Sequence, residues 1–202
     1  MGVPVILMGR SGTGKSYSMR DWPELGIVNV LGKPLPFPGE HKTFQTTDYE
    51  KVKAALKSAK AKSVAIDDCG YLMTDMFMRG HSEGRTGGAV YDLYNEIGDS
   101  FYGLVRFVQS DLPPERIVYL VMHEEADEFN GVQIKTIGRL LSEKVCIEGM
   151  VSVVIRAVCR QGEYRFVTNG DGIVKSPPGM LEEEMPNDLK QVDAAIRAYW
   201  QL

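Results

Sequence analysis

Apolar residues follow two rhythms along this 202-residue chain. Short unbroken runs at 3–8 (VPVILM), 27–31, 63–67 (SVAID) and 116–122 read as strands covered on both faces, which need no polar alternation. Elsewhere the spacing is helical. Val90, Leu93, Ile97, Phe101, Leu104, Val105 and Val108 predict a long helix over 89–110. Thr47-x-x-Glu50 has the form of a capping box and predicts a helix to about residue 60, with Val52, Leu56 and Ala59 on one face. A short helix is expected from Lys15 to about Asp21, ended by Trp22-Pro23. A last helix, capped by Asn187, would bury Leu189, Val192, Ile196 and Tyr199. Pro34, Pro36 and Pro38, between Gly32 and Gly39, mark a surface excursion. The segment 79–88 holds four glycines and predicts irregular structure. After residue 151, VSVVIRAV and YRFVT flank Arg160-Gln161-Gly162-Glu163 and predict a β-hairpin.

Strand and helix alternate through the first 122 residues. This predicts an α/β fold, a mainly parallel sheet flanked by helices, with a C-terminal antiparallel hairpin added late. At this length one domain over 1–202 is expected. The charge balance, 23 Lys+Arg against 27 Asp+Glu, gives a net −4 and excludes a broad basic face, so any nucleic-acid contact must be a local patch. Cys69, Cys146 and Cys159 show no metal-ligand spacing and read as reduced, mostly buried thiols. No apolar run approaches the roughly 18 residues that span a bilayer. The chain opens on a strand-like run rather than a basic-then-apolar signal, so no membrane partner and a cytoplasmic location are expected.

One segment changes the picture. Gly9-Arg10-Ser11-Gly12-Thr13-Gly14-Lys15-Ser16 fits G-x-x-x-x-G-K-[ST] in full, after an apolar strand and before a predicted helix. Glycines let the backbone turn tightly, so that N–H groups converge on phosphate oxygens, and the helix start adds its positive end. Lys15 is long enough to reach β- and γ-phosphates, and the Ser16 hydroxyl is a hard oxygen suited to Mg²⁺. A nucleoside triphosphate with Mg²⁺ is the ligand this pattern implies, and ATP and GTP both fit it. The strand SVAID ends in Asp67, expected in the Mg²⁺ shell with Ser16. Asp68 is the nearest candidate to orient or deprotonate a water. The run IVYLVM ends in His123 and Glu124, and ligands of parallel sheets bind outside the carboxyl ends of strands. His123 is thus a candidate γ-phosphate sensor and Glu124 a candidate water-positioning acid.

With GRSGTGKS at 9–16, SVAIDD at 63–68 and IVYLVMHEE at 117–125, the chain resembles the RecA-type branch of P-loop NTPases. More closely it resembles the short RecA-like ATPases encoded by bacteriophages, the Sak-type recombination proteins and related phage nucleotide-binding proteins. The segment GIVKSPPGMLEEEMPNDLKQVDAAI at 172–196 is similar in layout. The resemblance implies ATP hydrolysis, a homo-oligomer with nucleotide between subunits, action in the host cytoplasm, and single-stranded DNA held by loops 79–88 and 126–137. The first loop carries Arg79, His81 and Arg85; the second holds Lys135, with Phe129 as its aromatic. It further implies a cation supplied by the neighbouring subunit, with Lys175 as candidate and Arg160 and Arg165 as runners-up. RecA-like proteins often end the strand after the P-loop helix with a water-activating glutamate. Here Gly32-Lys33 stands there instead, so Asp68 or Glu124 takes over or turnover is slow.

Two other classes fit the same residues. A small-molecule P-loop kinase would transfer phosphate to a hydroxyl compound, although 79–88 holds only two arginines for a lid. A non-hydrolysing module would assemble on nucleotide without turnover.

Overall fold

The first apolar run forms β1 (Val3–Gly9), and it lies inside the sheet rather than at an edge. The computed structural model describes residues 1–127, 131–170 and 172–202. Within them the chain forms β2 (Gly26–Asn29), β3 (Lys42–Phe44), α1 (Tyr49–Ser58), β4 (Ser63–Asp67), α2 (Tyr71–Ser82), α3 (Gly88–Asp111) and β5 (Ile117–Ala126). Then come β6 (Val132–Ile134), β7 (Val153–Arg160), β8 (Glu163–Val167), β9 (Glu184–Pro186) and α4 (Leu189–Trp200). The sheet order is β3-β2-β4-β5-β1-β7-β8-β9, with β6 pairing only to β5. Strands β3 through β7 in that order pair in parallel, and β7-β8-β9 is antiparallel. The protein is thus α/β, with a mostly parallel central sheet flanked by helices.

Alternation along β1 sends its side chains to two cores. Ile6 and Met8 join Ile97, Phe101 and Leu104 of α3, while Val5 and Leu7 join Trp22, Phe166, Val192 and Ile196 on the α4 face. Both faces of β1 are covered, which is why its sequence is continuously apolar. Strands β4 and β5 follow the same rule; Ala65, Ile66, Tyr119 and Leu120 are all fully buried. The α4 face also holds a polar tie. Asp193 accepts from Ser63 Oγ (2.6 Å), Tyr119 Oη (2.9 Å) and Arg197 Nε (2.6 Å), pinning the last helix under β4 and β5.

Several local expectations are corrected. The segment after the glycine-rich loop 9–16 is one 3₁₀ turn, Ser16–Met19, not a helix to Asp21. Asp48, not Thr47, caps α1, because its carboxylate accepts the N–H groups of both Glu50 and Lys51. Asp188, one residue past Asn187, caps α4 in the same way, and Tyr199 stays exposed. The segment 79–88 is not wholly irregular. Residues 79–82 form the last turn of α2, and Gly80 is tolerated there because Leu93 of α3 packs against it. Cys69 is buried, but Cys146 and Cys159 are exposed. Among the described residues no helix is long and apolar enough to cross a membrane.

Candidate functional site

The carboxyl ends of β1, β4 and β5 converge on one cleft of about 660 Å³, and the loop 9–16 forms one wall of it. Glycine is required at two loop positions. A side chain at Gly9 would meet Ala157 O and Thr13 Oγ1 at 2.7 Å. Gly14 has φ +88°, and a Cβ there would lie 2.8 Å from the Tyr164 ring. The N–H groups of Gly12, Gly14 and Lys15 donate to no carbonyl among the described residues. Amides in this state are free to donate to an oxygen from outside the chain, water included.

Lys15 is buried, and its ammonium folds back to donate to Gly9 O and Arg10 O, both at 2.8 Å. Burial lowers its pKa from 10.5 to about 8, although Asp68 and Asp67 pull the other way. Ser16 Oγ donates to Asp67 Oδ1 at 2.8 Å, although 51 residues separate the two. The other oxygen, Asp67 Oδ2, is buried with no hydrogen-bond partner among the described residues. Burial raises the Asp67 pKa, and the neighbouring Asp68 charge adds to this. An unpartnered buried carboxylate oxygen beside a serine hydroxyl is the donor pair a hard cation takes. Among the described residues no cluster of three His, Cys, Asp or Glu could hold a metal by itself.

Asp68 leaves β4 in the left-handed region, φ +58°, and turns its carboxylate into the cleft. It ion-pairs with Lys33 Nζ, and His123 Nε2 stands 3.5 Å from its other oxygen. Burial pushes its pKa up, but the His123 and Lys33 contacts outweigh this and hold it below the usual carboxylate value. Tyr71, three residues on at the start of α2, meets the His123 ring edge to face. Asp68 and His123 therefore act as one positioned pair at the cleft.

Glu124 is placed differently. Both its oxygens accept from Arg156, at 2.8 and 2.7 Å, and Arg10 Nε lies 3.4 Å away. Its side chain is 3% exposed and does not line the cleft. The geometry gives Glu124 the task of fixing two arginines, and leaves Asp68 as the acid facing the cleft. Lys175 lies outside the cleft of its own chain. Its backbone pairs with Val154, well below the level of the loop, since β7 reaches the end of β1 only near Arg156. Arg160 and Arg165 are engaged with Glu184 and Glu163.

In the first loop named for DNA, Arg79 pairs with Asp75, and Arg85 with Glu96 and Glu83. The second begins as the end of β5 and returns as β6; Phe129 lies outside the described residues. Four residues at or behind the cleft have no site role in the sequence reading: Lys33 and Tyr164 line it, Arg156 holds Glu124 behind it, and Asn187 braces the loop, its Nδ2 donating to Gly14 O at 3.2 Å. Arg156 alone left a signal, a charge inside the apolar run VVIRAV. Compared with known proteins, the chain matches no family model and no curated protein.

Proposed function

We propose that this chain is a Mg²⁺-dependent P-loop nucleoside triphosphatase of the RecA-like type. One observation carries it: the orphaned Asp67 oxygen beside Ser16 Oγ, at the end of a loop whose amides and lysine face the same cleft. The amides of Gly12, Gly14 and Lys15 bind phosphate oxygens, and Lys15 exchanges its two carbonyl partners for the β- and γ-phosphates. Ser16 and Asp67 would hold Mg²⁺, which when bound neutralises charge on the transferring phosphoryl group. Asp68, held by His123, accepts a proton from the attacking water or orients it. Tyr164 and Tyr17 stand 5.8 Å apart at the mouth, with the Arg20 guanidinium 4.4 Å over the Tyr17 ring, and a base would meet this aromatic wall.

The sheet order supports the RecA-like form. β5 lies between the P-loop strand and the Asp67 strand, so His123 comes up between Lys15 and Asp68. Membership of the phage recombination group, ATP as the preferred nucleotide and single-stranded DNA as the effector rest on the sequence resemblance. For DNA to engage loop 79–88, Arg79 and Arg85 must leave their carboxylate partners.

The test is ATP hydrolysis by the purified protein with Mg²⁺, with and without single-stranded DNA, alongside Lys15→Ala. Turnover that DNA stimulates and that Lys15→Ala abolishes is the expected result. Turnover unchanged in Lys15→Ala refutes the phosphate-loop assignment.

A further inference from the structure

A second lysine reaches the cleft, from the wall opposite Lys15. Lys33 lies just beyond the end of β2, at the start of the proline-marked loop. Asn29, the last residue of β2 and buried, shapes that turn: its Oδ1 accepts from Gly32 N–H at 2.9 Å, and its Nδ2 donates to Lys33 O at 2.8 Å. β2 pairs with β4 so that Asn29 faces Asp67 in register. The tied turn therefore delivers the Lys33 side chain next to Asp68, and Pro34 restrains the backbone behind it. The Lys33 ammonium pairs with Asp68, yet its side chain is 45% exposed and lines the same cleft as Lys15 and Ser16.

Both cations of the cleft are thus engaged by protein oxygens: Lys15 by two carbonyls, Lys33 by one carboxylate. A carboxylate carries a single charge. The terminal phosphate of a triphosphate offers three oxygens and more charge, and so competes for a lysine already within reach. Taking the cleft as a nucleoside triphosphate site, as proposed above, we infer that Lys33 is a second phosphate-binding cation. It acts within its own subunit, and it passes from Asp68 to the terminal phosphoryl group when a triphosphate binds. The exchange has two consequences. A diphosphate lacks the group that draws Lys33 away, so Lys33 sets the preference for triphosphate. Asp68 is left with its His123 contact and one oxygen open to the cleft, so the water-orienting acid is released only when there is a phosphoryl group to act on.

The experiment is calorimetric binding of the non-hydrolysable triphosphate AMP-PNP and of ADP, each with Mg²⁺. It compares the wild-type chain with Lys33→Ala and with Lys33→Met, which keeps the aliphatic stem. The expected result is a loss of about 10- to 100-fold in AMP-PNP affinity, with ADP affinity changed by less than about threefold. Asn29→Ala, which unties the turn, should fall between wild type and Lys33→Met for AMP-PNP. Wild-type binding of both nucleotides with an unchanged AMP-PNP to ADP ratio in both Lys33 variants overturns the role of Lys33 and leaves the nucleotide site standing. Equal losses for the two nucleotides overturn it as well. Failure of the wild-type chain to bind either nucleotide overturns the site and the inference together.

Discussion

Replacing Lys15 by methionine should remove phosphate binding and make the folded protein more stable. Lys15 keeps its charge in a buried position, where its pKa falls from 10.5 to about 8. At about 1.4 kcal/mol per pH unit, holding that charge at neutral pH costs on the order of 3 kcal/mol. That figure already includes the hydrogen bonds to Gly9 O and Arg10 O, and methionine leaves both carbonyls without this donor, at a cost on the order of 1–2 kcal/mol in total. Methionine fills a similar volume without a charge, so Lys15→Met should gain about 1–2 kcal/mol at pH 7. In a domain of this size that is a rise of about 2–8 °C in Tm. The sign with pH is fixed by linkage. Between pH 8 and 10.5 the unfolded chain binds a proton at this lysine that the folded chain does not. Wild-type stability therefore rises through that window relative to the variant, and the gap closes. Below pH 8 both states are protonated, and the gap is full. Paired thermal melts at pH 7, 8 and 9.5, without nucleotide, measure it. A variant less stable than wild type at pH 7, or a gap that does not move with pH, refutes the idea that Lys15 is charged at the expense of the fold.

Other outcomes follow from the same contacts. Arg156→Ala leaves the buried Glu124 with Arg10 alone, at 3.4 Å, and should lower stability by about 2–3 kcal/mol, with most of the loss recovered in Arg156→Met/Glu124→Gln; chemical denaturation of the singles and the double checks this. Asp193→Ala strands Ser63, Tyr119 and Arg197 and should cost about 3–5 kcal/mol without altering nucleotide affinity; a loss below about 1 kcal/mol would show that the tie under β4 and β5 is not energetically coupled. Lys175→Ala should slow turnover in the assembled protein while single-subunit nucleotide affinity stays at the wild-type level; unchanged rates and unchanged assembly remove the proposed role between subunits.

The parts of the fold legible in the sequence are those set by local pattern. β1, β4 and β5 are continuous apolar runs because helices cover both their faces, and α3 shows seven apolar residues at helical spacing. Elements set by tertiary contact were not legible. α2 looks unfavourable because of Gly80, and is stable because Leu93 comes from α3 to fill the space. β3 is three exposed residues on the sheet edge and carries no alternation to detect. Caps shifted by one residue, to Asp48 and Asp188, since a carboxylate can accept two amides where the preceding residue accepts none. At the site, the loop 9–16 and its carboxylates are written in contiguous motifs. Lys33, Arg156, Tyr164 and Asn187 reach them from strands and loops distant in sequence, and only the sheet order brings them together.

That sheet order also governs the sequence of events during synthesis. β1 leaves the ribosome well before either of its neighbours, since β5 begins at Ile117 and β7 at Val153. At about 5–20 residues per second, the strand VPVILMG waits on the order of ten seconds for its first hydrogen-bonding partner. Until then it is an apolar segment with both edges open, the kind of sequence that pairs with other chains. The loop that follows it takes shape only when β5 and β7 close on either side. Nascent chains of this protein are therefore expected to need a holding chaperone over that interval, and chains truncated before Val153 to aggregate.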